Sequence, residues 1–207
     1  MTANSLYESF ASLLEYPDAS WHEQLDAIWE PIASECPAAL APLLEFSRDI
    51  DNLALTGLQE RYTQTFDLNP VCTLDIGYHL FGENYKRGVF LANLRETERL
   101  FDLGQASQLP DYLPVLLRLL GRLEDTDLRQ ALINDCMIPA LRKIVEALVR
   151  AGSPYAGLVK SLDTLMRLEE IPTSSERGSP IYQAVSAGPP ELYQITPRAA
   201  AHRQRSN

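Results

Sequence analysis

The side chains in this sequence that could do chemistry do not form a recognisable catalytic set. Its three histidines, His22, His79 and His202, do not stand at the spacing that a zinc site uses. No HExxH, GxSxG, GxGxxG or GxxxxGK(S/T) motif is present. Cys72 precedes His79 by seven residues, but a cysteine is more often a small core residue than a nucleophile. We therefore expect a binding protein that is not an enzyme and has no metal site and no cofactor of its own.

Two loop stretches are better suited to binding than to catalysis. Residues 62–70 (YTQTFDLNP) place Asp67 at the end of a helix, where its carboxylate could cap the helix or face a groove. Residues 108–114 (QLPDYLP) allow two interpretations. They could begin a helix that Asp111 caps, or they could form a rigid loop, braced by prolines, that presents Asp111 and Tyr112 to a partner.

A third stretch, residues 78–88 (YHLFGENYKRG), contains two glycines with different expected roles. Gly82 suits the C-terminus of a helix. Gly88 would cost about 1 kcal/mol in a helix interior relative to alanine, so a close helix approach or access for a ligand would explain it.

Composition predicts one folded domain with an acidic surface. The 207 residues are 45% hydrophobic and carry a formal net charge of −10, from 18 basic and 28 acidic side chains. Such a surface repels phosphate backbones and anionic bilayers, so we expect no nucleic-acid partner and no stable membrane insertion. A basic partner would suit the charge better.

The acidic charge is concentrated in the N-terminal part of the chain. Residues 1–85 hold only Arg48 and Arg61 against 14 carboxylates. This surface could be a well-solvated set of helix faces, or it could steer a basic ligand.

The cysteines and the N-terminus favour a cytoplasmic protein. Cys36, Cys72 and Cys136 are odd in number and widely spaced, which excludes a disulfide framework and fits a reducing compartment. The first ten residues lack the features of a signal peptide, and no apolar run reaches the ~18 residues that a membrane span needs.

Apolar residues recur with helical spacing from the N-terminus to about residue 170, without the alternation typical of strands. We predict an all-α, single-domain bundle of about nine or ten helices over residues 1–170. Asp125 or Thr126 should begin a long helix that Pro139 could kink.

Residues 171–207 differ in composition from the rest of the chain. They contain five prolines and no helical pattern, which predicts a flexible tail. Its short apolar segments, 181–185 and 192–195, could dock on the body of the protein.

Four motifs in order resemble those of one chaperone family. Residues 13–17 (LLEYP), 62–68 (YTQTFDL), 80–88 (LFGENYKRG) and 109–114 (LPDYLP) are similar to motifs of the NarJ branch of the TorD/DmsD/NarJ redox-enzyme maturation proteins. The resemblance covers residues 5–170 and implies a TorD/NarJ-like fold. The chain departs from the family pattern at Gln108, where glutamate is frequent, and at Tyr112, where histidine is frequent. It also departs at residues 74–77 (LDIG).

The resemblance implies a non-catalytic cytosolic chaperone for the molybdopterin-containing catalytic subunit of a respiratory reductase. Family members bind an N-terminal peptide of the apo-subunit, often a twin-arginine sequence or its remnant, until the bis-molybdopterin guanine dinucleotide cofactor is inserted. For the NarJ branch the client is the nitrate reductase alpha subunit. The alternatives are a chaperone for another molybdopterin reductase, a permanent structural subunit, or a small enzyme that uses buried carboxylates.

A basic, amphipathic client peptide would lay its apolar face in a groove between helices and its cations against carboxylates. The expected carboxylates are Asp67, Glu83 and Asp111. The remaining residues of the expected peptide site are Tyr78, His79, Leu80, Phe81, Arg87, Tyr112, Pro114 and Leu116.

Overall fold

The computed structural model describes residues 3–68, 72–103 and 107–169. The ten α-helices within these residues are α1 (Ala3–Leu13), α2 (Trp21–Glu35), α3 (Leu40–Ile50), α4 (Leu55–Tyr62), α5 (Ile76–Phe81), α6 (Tyr85–Glu98), α7 (Leu113–Leu120), α8 (Thr126–Ala131), α9 (Ile138–Arg150) and α10 (Tyr155–Leu168). This confirms the all-α prediction. The predicted boundary at residue 170 and the predicted tail, residues 171–207, lie outside the described residues.

Two π-helical turns interrupt the regular helices. One, Thr63–Asp67, continues α4, and the other, Leu132–Met137, joins α8 to α9. The second turn lies within the long helix that the sequence predicts, just before Pro139 in the first turn of α9. Proline has no N–H to donate and crowds the carbonyl four residues earlier, which fits a wider turn at this point.

Side chains cap the starts of α6 and α8, through Asn84 and Asp125. The Asp125 carboxylate accepts hydrogen bonds from the backbone N–H groups of Asp127 and Leu128, each at 3.0 Å, which confirms a helix start here. The expected capping role of Asp111 is wrong, because Tyr112 holds the N-cap position of α7. The Asp111 carboxylate lies elsewhere, as described below.

The core is built by two groups of helices. α1 packs against α2 and α7, whereas α10 packs against α3 and α9, and α5 lies on α6 and α9. Fully buried aromatic side chains fill the space between them: Tyr7, Phe10, Trp21, Phe46, Phe90 and Tyr155. Each large apolar side chain that leaves water contributes about 1.5–3 kcal/mol. None of the described helices is long and apolar enough to cross a membrane.

A short pairing of two loops fixes the start of α7 beside the start of α5. The Ile76 N–H donates to the Asp111 carbonyl at 2.8 Å, and the Leu113 N–H donates to the Leu74 carbonyl at 2.9 Å. These bonds form an isolated antiparallel β-bridge between Asp75 and Tyr112. Side chains from distant parts of the sequence are thereby held together.

The two glycines of residues 78–88 have different environments. Gly82 follows α5 with φ +62°, a conformation that glycine adopts without steric cost, so the predicted helix end is confirmed. A Cβ added at Gly88 would meet no atom within 4 Å. The expected close helix approach at Gly88 is therefore wrong, because this face of α6 is exposed.

Candidate functional site

A cleft of about 520 Å³ opens between the end of α1, the end of α4 and the paired loops. Its aromatic lining consists of Tyr16, Tyr62, Phe66 and Tyr112, and its acidic lining of Glu15, Asp67 and Asp75. Thr73, Leu74 and Gln108 complete the wall. The cleft thus combines apolar surface with negative charge.

Hydrogen bonds to the last carbonyls of α1 hold the aromatic floor in place. The hydroxyl groups of Tyr62 and Tyr112 donate to the Leu14 carbonyl at 3.2 and 3.4 Å and lie 2.9 Å from each other. The last carbonyls of a helix lack partners within the helix, so these two tyrosines satisfy one of them. In addition, the Gln59 amide donates to the Pro17 carbonyl at 2.9 Å, which ties α4 to the chain after α1.

The π-helical turn after α4 positions Phe66 and Asp67. Its i→i+5 bond, from the Leu68 N–H to the Thr63 carbonyl at 3.0 Å, widens the last turn. Phe66 remains buried against Tyr62, with ring centroids 4.9 Å apart, while Asp67 at the end of the turn is exposed at the cleft. Turns of this kind are frequent at functional sites.

The three carboxylates of the rim differ in how they are paired. Glu15 receives two hydrogen bonds from Arg118, at 2.6 and 2.9 Å. Asp75 lies 3.3 Å from Arg87. Asp67 has no ion-pair partner among the residues that the structure describes. Asp67 is therefore the rim carboxylate most available to a cation from outside.

The negative field of the rim acts on the tyrosines below it. Burial, together with the carboxylates of Glu15, Asp67 and Asp75, raises the pKa of Tyr112 to about 12, although the hydrogen bond with Tyr62 lowers it. Burial also raises the pKa of Tyr62 above its ordinary value. Both hydroxyl groups are therefore neutral at physiological pH, and the charge of the cleft comes from its carboxylates.

Of the site residues predicted from the sequence, the structure places only Asp67 and Tyr112 in this cleft. The expected exposure of Asp111 is corrected, because its side chain has 0% relative exposure. Its carboxylate accepts hydrogen bonds from the Gly77 N–H at 3.1 Å and from Arg87 Nε at 2.9 Å. Asp111 and Arg87 thus fix the loops behind the cleft and do not face into it.

Pro114 and Leu116 are likewise buried, in the first turns of α7. They pack into the core because α7 is apolar on all sides except at Arg118. The structure therefore corrects their expected location at an open groove.

The other predicted residues lie on α5 or just after it, outside the cleft lining. Tyr78, His79, Leu80 and Phe81 are half-buried there, and Glu83 is exposed in the following turn. Phe81 packs against Phe90, with ring centroids 5.5 Å apart, and the Tyr78 ring lies 5.9 Å from the Arg87 guanidinium. Whether these residues contact a peptide stays a prediction.

His79 joins two parts of the chain. Its Nε2 lies 2.7 Å from the Thr73 carbonyl, and its own carbonyl accepts a hydrogen bond from Lys143 Nζ at 2.6 Å. Burial lowers the pKa of His79, although the hydrogen bond to Thr73 opposes this effect.

From this environment we predict that lowering the pH reduces the free energy of unfolding of the native protein more than that of a His79→Gln variant. Because the pKa of His79 is lower in the folded than in the unfolded chain, the stability it contributes is complete above pH 6.5. It is lost as the pH falls through 6.5 toward the folded pKa. Urea unfolding at about pH 8 and pH 5.5 measures this difference. An equal loss in both proteins would contradict a lowered pKa.

The sequence interpretation missed most of the cleft lining. Glu15 and Tyr16 lie in the LLEYP motif, but nothing in their spacing showed that they approach Tyr112. Tyr62 and Phe66 are buried, as their helical spacing suggests, yet they also form the cleft floor. The remaining signal was the count of carboxylates in residues 1–85, which gave the charge of the surface but not its location.

The cleft offers groups for binding, and no metal centre accompanies it in the described part of the chain. Across residues 3–68, 72–103 and 107–169, no three His, Cys, Asp or Glu side chains are arranged to hold a metal ion. The cleft can accept cations at its rim and apolar groups on its floor.

Comparison with known proteins identifies the relatives of this chain. It is 29% identical over 168 residues to the probable nitrate reductase molybdenum cofactor assembly chaperone NarJ of Bacillus subtilis. This match covers 80% of this chain and 89% of that protein. It is also 29% identical over 169 residues to the nitrate reductase molybdenum cofactor assembly chaperone NarJ of Escherichia coli K12. This match covers 80% of this chain and 70% of that protein. A match at 29% identity to the nitrate reductase-like protein NarX of Mycobacterium tuberculosis covers 76% of this chain and 24% of that protein.

A family comparison agrees with these matches and with the resemblance seen in the four motifs. Residues 30–157 match the family described as nitrate reductase delta subunit. The matched range runs from α2 to the first turn of α10 and includes most of the cleft lining. The chain therefore belongs to the nitrate reductase delta subunit family.

Proposed function

We propose that this protein is a cytoplasmic, non-catalytic chaperone for the apo catalytic subunit of a respiratory nitrate reductase. In this role it binds the N-terminal peptide of that subunit and assists insertion of the molybdenum cofactor. The names of its relatives support the chaperone role, since one is named a nitrate reductase molybdenum cofactor assembly chaperone and another a probable one. The acidic, aromatic cleft is the observation that supports peptide binding.

The lining of the cleft suits a peptide that carries apolar side chains next to an arginine or lysine. The rings of Tyr16 and Tyr112 offer flat surfaces for an apolar side chain or a guanidinium group. Asp67 is exposed beside them and can accept a charge-assisted hydrogen bond. A peptide bound in this way would bury the aromatic floor and neutralise the rim.

Glu15 and Asp75 play a different part in this proposal. Arg118 and Arg87 already pair with them, so the two carboxylates are held in fixed positions. They contribute to the potential that attracts a basic peptide more than to direct contacts. Charges of this kind raise association rates and make binding sensitive to salt, which suits a chaperone that must release its client.

Titration calorimetry with a synthetic peptide from the N-terminus of the nitrate reductase catalytic subunit tests the proposal. We expect micromolar or tighter binding that weakens at higher salt. Asp67→Asn should weaken binding about tenfold, because it removes the unpaired rim charge and nearly preserves the side-chain shape. Circular dichroism verifies that the variant remains folded.

Two further variants make this test specific to the cleft. Asp51→Asn, after α3, removes an exposed carboxylate outside the cleft and should leave binding unchanged, whereas Glu83→Gln tests whether the end of α5 also contacts the peptide. Loss of binding only with Glu83→Gln would move the site to the end of α5. No binding by the native protein at either salt concentration would refute the proposed peptide recognition.

A further inference from the structure

We infer that residues 192–207 of this chain, here called the tail segment, bind in the acidic cleft and compete with the client peptide. The inference rests on the proposed function, because it assigns a second, intramolecular occupant to the same cleft. The chemistry of the segment, its distance from the cleft and its high local concentration support it.

The tail segment has the chemistry that the cleft accepts. It begins with Leu192, Tyr193 and Ile195 and continues with Arg198, Arg203 and Arg205. None of the 28 acidic residues of the chain lies in it, although the chain as a whole is strongly acidic. An apolar, aromatic start followed by cations matches an aromatic floor beside the exposed carboxylate of Asp67.

The point from which the tail segment departs is close enough to the cleft for the segment to reach it. The described chain ends at Glu169, whose carboxylate accepts hydrogen bonds from the Tyr7 hydroxyl and from Arg129, both at 2.6 Å. Tyr7 is on α1, and the chain leaving α1 supplies Glu15 to the cleft, about 12 Å further along at 1.5 Å per residue. A chain of the length of residues 170–191 would span roughly 25 Å if it behaved as a coil.

Because the tail segment is tethered, weak intrinsic affinity is enough. A short flexible connection gives an effective concentration of about 1 mM. If the free segment bound with a Kd of about 0.1 mM, it would occupy the cleft about 90% of the time and weaken client binding about tenfold. Client peptides of higher affinity would displace it, so the tail segment would select against weak, non-client peptides.

The test uses the full chain with the three arginines replaced together, Arg198→Gln, Arg203→Gln and Arg205→Gln. We expect this variant to bind the synthetic client peptide about tenfold more tightly than the native protein. The control is Arg177→Gln, which removes a basic residue outside the tail segment and should leave the affinity unchanged. Hydrogen exchange measured by mass spectrometry, without any client peptide, should show faster exchange at residues 62–68 in the triple variant only.

The two measurements separate failure of the inference from failure of the proposed function. If the native protein and the triple variant bind the client equally, the tail segment does not compete, and the inference is overturned while the proposed function stands. If neither binds the client, the proposed function fails and hydrogen exchange decides about the tail segment. Unchanged exchange at residues 62–68 in the triple variant then overturns the inference, and faster exchange supports it.

Discussion

Replacing Arg87 with methionine should lower the free energy of unfolding by about 4 kcal/mol, because it leaves the buried carboxylate of Asp111 without its counter-ion. Asp111 has 0% relative exposure, and Arg87 Nε lies 2.9 Å from its Oδ2. A buried charge that loses its partner is much more costly than an ion pair on the surface. The effect concerns the whole fold, since Asp111 belongs to the loop pairing behind the cleft.

Gly77 lies directly against the buried carboxylate of Asp111. The Gly77 N–H already donates to Asp111 Oδ2 at 3.1 Å. A Cβ added at Gly77 would lie 2.7 Å from the same oxygen. The carboxylate is thus contacted by backbone on one side and by the guanidinium on the other, and a side chain at position 77 would collide with it.

Urea unfolding of three variants measures this prediction. Arg87→Met with Asp111→Asn should be more stable than Arg87→Met alone, because asparagine has no charge to leave unpaired. Arg99→Met removes an exposed ion pair with Glu96 and should lower the free energy of unfolding by less than about 1 kcal/mol. Burial already raises the pKa of Asp111 against the opposing effect of Arg87, so the loss in Arg87→Met should shrink as the pH falls and Asp111 is protonated. A loss of under 1 kcal/mol at neutral pH would contradict the prediction.

The helices of this protein could be predicted from its sequence because their signals are local. Apolar periodicity, the Asp125 cap and Gly82 each act within a few residues, and the structure has helix boundaries at these positions. Asp111 looked like a cap by the same local criteria. It does not cap α7, because its carboxylate accepts hydrogen bonds from Arg87 and Gly77, which are 24 and 34 residues away in the sequence.

The cleft could not be predicted for the same reason. Its floor depends on hydrogen bonds from Tyr62 and Tyr112 to Leu14, across 48 and 98 residues of sequence. The spacing of apolar residues within a helix carries no information about contacts over such distances in the sequence. The excess of carboxylates in residues 1–85 predicted the charge of the site, and only the fold shows that Glu15, Asp67 and Asp75 share one rim.

The motifs that resemble the family thus serve two different purposes here. The LPDYLP motif mainly holds the loops together, through Asp111 and the buried Pro114, and sends only Tyr112 into the cleft. The LLEYP and YTQTFDL motifs supply Glu15, Tyr16 and Asp67 to the lining. Substitutions in the LPDYLP motif should therefore act chiefly on stability, and substitutions in the LLEYP and YTQTFDL motifs on client binding.

A second large effect on stability is expected at Gly157 in α10. Gly157→Ala should lower the free energy of unfolding by about 3 kcal/mol. A Cβ at this position would lie 2.6 Å from the Pro42 carbonyl oxygen and 2.9 Å from the Phe46 backbone nitrogen. Both atoms belong to the backbone of α3, so neither can rotate away as the end of a side chain can. The two helices would have to separate, which would disturb the packing of Phe46 against Tyr155, whose ring centroids are 5.4 Å apart.

Gly88→Ala is the matched control, since it makes the same change in the interior of α6 with no atom within 4 Å. It should stabilise the protein by up to about 1 kcal/mol, because alanine favours a helix more than glycine does. Opposite signs for the two variants in urea unfolding would show that the cost at Gly157 comes from the approach of α3 and not from helix propensity. If Gly157→Ala were also stabilising, α10 and α3 could not be as close in solution as 2.6 Å implies.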